Sequence, residues 1–231
     1  MKFIRKELEK LRLVKRKRYH PLIHLVHKKY GVSRKTLFYI KEYGPHQNVY
    51  KRIIKESIKI LLFASIISSL GGFSLEYIKS IFISITPLII LLPTLNDMIG
   101  DYGMIISSRF STMLHEGKAK HGWWRIKELR ILIAQLFIIA IMTATISTII
   151  ALLASKFSTF QLKTQIIYKI FLVAILDTVT LLSILFIVSI TLGIYFFKKK
   201  EDPNNFLIPI TTSIADFGNM VILSLLVVLL F

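Results

Sequence analysis

Four carboxylates lie inside stretches that are otherwise apolar: Asp97, Asp101, Asp177 and Asp216. An ionised aspartate at the centre of a membrane span costs about 2.5–3.5 kcal/mol on insertion scales, so each of the four needs a reason to be there. Such acids line a polar cavity, hold a cation or pass a proton; otherwise they cap helix ends or accept from neighbouring hydroxyls. Both readings apply to Asp177, which stands among Thr178, Thr180 and Ser183, and to Asp97, which could cap a half-helix after Pro93. Asp216 fits the first reading better. Thr212, Asp216 and Asn219 recur at i, i+4 and i+7, on one helical face. Their oxygen atoms suit a hard cation and its waters, whereas zinc or copper would call for His or Cys, which do not join them. No nucleophile–base pair and no metal-binding histidine motif occurs in these stretches, which argues against an enzyme.

The elements that must position these acids are apolar and long. Five segments stand out: Ser57–Leu75, Ile81–Leu114, Ile131–Ser155, Ile170–Phe197 and Phe206–Phe231. Each meets the roughly 20 residues needed to cross about 30 Å of hydrocarbon. The chain is therefore expected to be an all-α polytopic membrane protein with five transmembrane helices. The second segment is too long for one straight crossing, because a helix of its length would reach roughly 51 Å. It is expected to tilt strongly, or to bend at Pro87 and Pro93 and leave the membrane at its far end. Gly100 and Gly103 expose further backbone there, which is tolerated at membrane depth only against protein or water. Arg109, in the same segment, is expected to pair with a carboxylate or reach the interface. Gly71-Gly72, in the first, reads as a packing notch or a helix end rather than an ion site.

Hydrophobic residues make up 54% of the chain, more than a soluble core of this length can bury. The formal net charge is +18, yet its placement argues against nucleic acid. From Met1 to Lys59 there are 18 Lys and Arg against four Glu, so 14 of the 18 excess charges come at or before the start of the first apolar segment. That pattern is a basic flank facing anionic headgroups, and no basic-aromatic module of a nucleic-acid binder accompanies it. Residues 1–56 are expected to form this cytoplasmic segment, and 57–231 the membrane domain. Ser33 could cap a basic amphipathic helix running through Tyr43, with Gly44-Pro45 as its stop. His20, His24 and His27 have one-face spacing, but Pro21 and the basic surroundings speak against a metal site. The charged stretch is too long for a signal peptide, and the absence of cysteine excludes disulfides and thiolate sites.

Orientation follows from the connections. Lys118, Lys120, Arg125, Lys127 and Arg130 follow the second segment, and Lys198, Lys199 and Lys200 the fourth. Placing these richer loops in the cytoplasm puts the N-terminus inside and Phe231 outside a cell membrane. Trp123 and Trp124 would then sit as interfacial anchors.

Two stretches resemble a known family. Pro93-Thr-Leu-Asn-Asp-Met-Ile-Gly100-Asp101, followed by Ser107-Ser-Arg109-Phe-Ser111-Thr, is similar to the second membrane helix of the MgtE family of magnesium transporters and its eukaryotic solute-carrier relatives. Asp202-Pro-Asn-Asn205, then Pro209 and Asp216, looks like the start of the last helix of that family. The resemblance covers the membrane domain, about 175 residues. It implies a homodimer with the ion path between subunits, lined by the second and fifth membrane helices, and Mg²⁺ or another divalent cation as the ion. It also implies that Asp216 faces the path from each subunit, with backbone carbonyls supplied around Gly100. Asp101 stands where the family usually has Asn, which adds a carboxylate beside the path.

Candidate metal-site residues are thus Asp216, Asp101, Gly100, Asn219, Thr212 and Asp97, with a second polar site at Asp177. The expected function is a divalent-cation channel or transporter, most simply for Mg²⁺ held through its own waters. Two alternatives remain: a proton- or sodium-coupled cation exporter using the same acids, and a non-transporting membrane anchor whose basic segment binds a partner or anionic lipid.

Overall fold

A computed structural model describes residues 49–116, 126–157, 163–199 and 201–231, together with Gly31, Lys118 and Trp123. Of the basic segment, the helix expected from Ser33 and the three histidines His20, His24 and His27 lie outside the described residues, as does Trp124, whereas residues 49–56 belong to the first described helix. Among the described residues six helices follow one another: α1 (Val49–Tyr77), α2 (Lys79–Ser84), α3 (Thr86–His115), α4 (Lys127–Ser155), α5 (Thr164–Lys199) and α6 (Pro203–Leu230). All but α2 are long and apolar enough to cross a membrane, so the expected all-α bundle of five spans is the observed one. The described residues contain no strand.

The long second segment does not form one helix. It breaks at Ile85, whose φ of −120° and ψ of 80° leave the helical region, and Pro87 falls in the first turn of α3. A proline costs nothing there, because a first-turn N–H has no intrahelical acceptor. Pro93, by contrast, stays inside α3. Its missing N–H removes one rung of the ladder, and the helix continues on either side. At the other end of the bundle, Asp202 caps α6 by accepting from the Asn204 backbone N–H at 3.0 Å, just ahead of Pro203.

Helix α6 is the centre of the bundle, packing on α1, α3 and α5, while α4 closes the outside against α3 and α5. The core is formed by Leu88, Leu95, Ile99 and Ile106 of α3 with Leu181, Leu182 and Leu185 of α5 and Leu223 and Val227 of α6. Glycines set the closest approaches. A Cβ on Gly71 would lie 2.8 Å from Met220 Sδ and 3.2 Å from Phe217 Cα, so α1 meets α6 through a notch. Gly72 faces open space and α1 runs on to Tyr77, so the pair is no helix end. Hydroxyls tie the same surfaces together. Ser213 donates to Ala64 O at 2.9 Å, and Ser107 pairs with Ser189 at 3.3 Å and with Thr211 at 3.2 Å. The apolar residues left over point outward: Leu62, Phe63, Ile66 and Phe73 on α1, and Ile138, Met142 and Ile150 on α4 are exposed, as a lipid-facing surface requires.

Candidate functional site

The site grows from the middle of α3 and α6. Helix α3 carries Pro93, Asp97, Asp101 and Met104 on one exposed face, since residues four or so apart recur on the same side. Helix α6 brings Thr212 and Asp216 against that face. Together with Thr94, Asn96 and Gly100 these residues line an open cavity of about 680 Å³. A Cβ added at Gly100 would meet nothing within 4 Å, so this glycine leaves room rather than relieving a clash.

Asp216 is the best-held group in the cavity. One oxygen, Oδ1, accepts from Asn96 Nδ2 at 2.7 Å, and Oδ2 accepts from Ser68 Oγ at 3.1 Å. Asn96 is itself oriented, because its Oδ1 accepts from Asn219 Nδ2 at 3.1 Å, while Asn219 also reaches Leu92 O at 3.4 Å. The result is a directed relay in which Asn219 donates to Asn96 and Asn96 to Asp216. A carboxylate has about four lone-pair positions. With two of them fixed by protein donors, the others remain for an ion or its waters.

Of the expected site residues, Asp216, Thr212, Asp97, Asp101 and Gly100 come together at the cavity. Asn219 does not line it. Its side chain is buried between α6 and α3, where it supports Asn96. Thr212 donates back to Ile208 O at 2.9 Å, so it offers the cavity lone pairs rather than a proton. Asp177 lies elsewhere, on α5, fully buried, and neither of its oxygens nor Thr178 Oγ1 has a hydrogen-bond partner. The neighbouring hydroxyl that might have served it, Ser183 Oγ, donates to Val179 O instead. Arg109 is exposed near the end of α3 and makes no ion pair among the described residues.

Two participants were not among the expected residues. Asn96 sits within the quoted Pro93–Asp101 run, and Ser68 is one of several serines in the first span. Neutral polar side chains are common in membrane helices, so nothing in their type marks them. Only the approach of α1 and α3 to α6 gives them a role.

Among the described residues no three His, Cys, Asp or Glu side chains converge in the way a dehydrated metal ion requires. A single copy therefore presents one anchored carboxylate and two flanking ones around an open space with room for a hydrated ion. That arrangement suits a cation that keeps most of its shell, as Mg²⁺ does. It does not suit a tightly ligated structural ion.

A family model described as MgtE, a divalent cation transporter, matches residues 92–226. The match includes every residue that lines the cavity and every one that anchors Asp216 except Ser68. No curated protein matches the chain. No solved structure matches it either.

Proposed function

We propose, because the chain belongs to the MgtE family of divalent cation transporters, that it carries Mg²⁺ along a path formed where two copies face each other across the α3–α6 cavity. One observation carries this reading: Asp97 and Asp101 are exposed halfway along a membrane-spanning helix, beside the cavity that holds Asp216. Lipid on that face would impose the insertion cost of two acids at once. Water and a second copy of the same face remove it. A two-fold axis through the cavity brings two Asp216 carboxylates to one ion, and it supplies the ligands that a single copy lacks.

The chemistry is capture through water. Mg²⁺ gives up inner-shell water reluctantly, so the carboxylates, Thr212 oxygens and backbone around Gly100 bind its hydration shell. Paired negative charges concentrate divalent over monovalent ions, because the attraction scales with the charge of the ion and the cavity walls are poorly polarisable. Asp97 and Asp101 extend the same field along α3. Orientation is part of the proposal: the α3–α4 and α5–α6 connections, with their lysines and arginines, face the cytoplasm, as does the basic N-terminal segment, which meets anionic headgroups.

Flux tests the reading. In reconstituted vesicles Asp216→Ala is expected to reduce Mg²⁺ uptake to background while the detergent-solubilised protein keeps its size and helicity. Unchanged uptake would take Asp216 out of the path. Uptake that ceases when proton and sodium gradients are collapsed, with the Mg²⁺ gradient kept, would replace the channel-like path with a coupled carrier.

A further inference from the structure

A second concavity lies away from the ion path. Between α4 and α5 a groove of about 300 Å³ is walled by Ile133 and Phe137 of α4 and by Phe186, Ile187 and Ile190 of α5, with Trp123 at one end. Phe137 and Phe186 stack at 6.0 Å and 14°, while Ile187 remains 64% exposed. The two hydroxyls in the wall are already occupied by their own helix: Ser183 donates to Val179 O and Thr191 to Ile187 O, both at 2.7 Å. The α4 and α5 walls therefore offer hydrocarbon contact and no free hydroxyl.

The end near Trp123 is cationic. Arg130 lies three residues before Ile133 and seven before Phe137, hence on the groove face of α4; Lys198 lies seven after Thr191 and eleven after Ile187, on the groove face of α5. Both are exposed, and neither makes an ion pair among the described residues. The acid closest in sequence to Arg130, Glu128, is engaged by Lys118 at 3.2 Å, and Lys118 also holds Glu116 at 2.9 Å; those closest to Lys198 are Glu201, which makes no ion pair among the described residues, and Asp202, which faces His115 at 3.8 Å. Those contacts, Glu116 first, hold the Lys118 ammonium above the usual lysine range.

We propose that this groove binds one anionic phospholipid, its acyl chain against Phe137, Phe186 and Ile187 and its phosphate on Arg130 and Lys198. The lipid belongs to the leaflet met by the α3–α4 and α5–α6 connections. An apolar trough ending in two cations matches the two halves of such a molecule, because long Arg and Lys chains reach the headgroup level while their stems stay in hydrocarbon. A second copy of the chain fits worse, since a two-fold contact would bring like cations together. The proposal does not depend on the ion path and can fail without it.

Native mass spectrometry of the full chain in neutral detergent, with dioleoylphosphatidylglycerol or dioleoylphosphatidylcholine added, tests it. One phosphatidylglycerol per chain should be retained in preference to phosphatidylcholine. Arg130→Gln combined with Lys198→Gln should lower that preference on the order of tenfold, and Ile187→Trp should lower retention of both lipids. An unaltered preference in the double variant would overturn the proposal. Where that variant fails to fold, a Trp124→Phe chain leaves Trp123 as its one tryptophan, and brominated phosphatidylglycerol should quench it more than brominated phosphatidylcholine does. Equal quenching would overturn the proposal, and so would disulfide capture between two copies through Ile187→Cys.

Discussion

Asp216 is set in place by its neighbours. Its two oxygens are fixed by Asn96 and Ser68, and Asn96 is fixed in turn by Asn219. A hydrogen bond to a charged group contributes about 1.5–3 kcal/mol. Asn96→Ala is therefore expected to lower thermal stability in detergent by roughly that amount and to raise the Mg²⁺ concentration needed for half-maximal uptake; Ser68→Ala, at the longer contact, should do less. An Asn96→Ala protein with unchanged ion dependence would make the relay structural only. Asp177 sits in a different situation, buried without a partner and apart from the cavity. Asp177→Asn keeps the shape and removes an acid that the bundle does not satisfy, so stability is expected to hold or rise and Mg²⁺ uptake to persist. Loss of uptake in that variant would bring Asp177 into the path. The acids were legible in the sequence because charge inside an apolar run is conspicuous. Asn96 and Ser68 were not, since their partner lies 120 and 148 residues away and only packing selects it.

At the scale of helices, glycines separate packing from permeation. Gly71 fills the notch against Met220 and Phe217, so Gly71→Leu should force α1 from α6 and cost about 1–3 kcal/mol of stability. Gly72→Ala, one residue on, points into open space and should be neutral. Gly100→Ala is the informative contrast. Its Cβ meets nothing within 4 Å but projects at the cavity, so the unfolding temperature should stay put while Mg²⁺ flux falls. Unchanged flux would place the ion elsewhere. The number and order of spans followed from hydropathy alone. Their ends did not: α1 starts at Val49 and α5 runs from Thr164 to Lys199, both longer than the apolar runs. Helices continue past the hydrocarbon with polar residues that hydropathy does not count. The break at Ile85 was hidden for another reason, because Pro87 and Pro93 look alike in sequence. They differ only in whether the lost N–H had an acceptor, and a proline inside a membrane helix is tolerated when neighbours stand beside it.

At the scale of the molecule, the described residues present exposed surfaces of opposite character. Most of α1 and α4 presents Ile, Leu, Met and Phe to its surroundings, whereas the middle of α3 presents Asp97 and Asp101. A bilayer accommodates the first and penalises the second, which favours the proposed pairing of two copies across the α3 face. The chain contains no cysteine, so one introduced at Met104, exposed at the cavity, reports on that face alone. The proposed pairing of two copies across the cavity is tested most directly by anomalous diffraction from crystals of the protein grown with Mn²⁺ in place of Mg²⁺. With two copies joined there, a metal peak is expected on the two-fold axis, at water-bridged distance from both Asp216 carboxylates, with Met104→Cys chains forming a disulfide across the same axis. Dimers that join through another face and leave the two Asp216 side chains far apart, with no peak beside either, would contradict it.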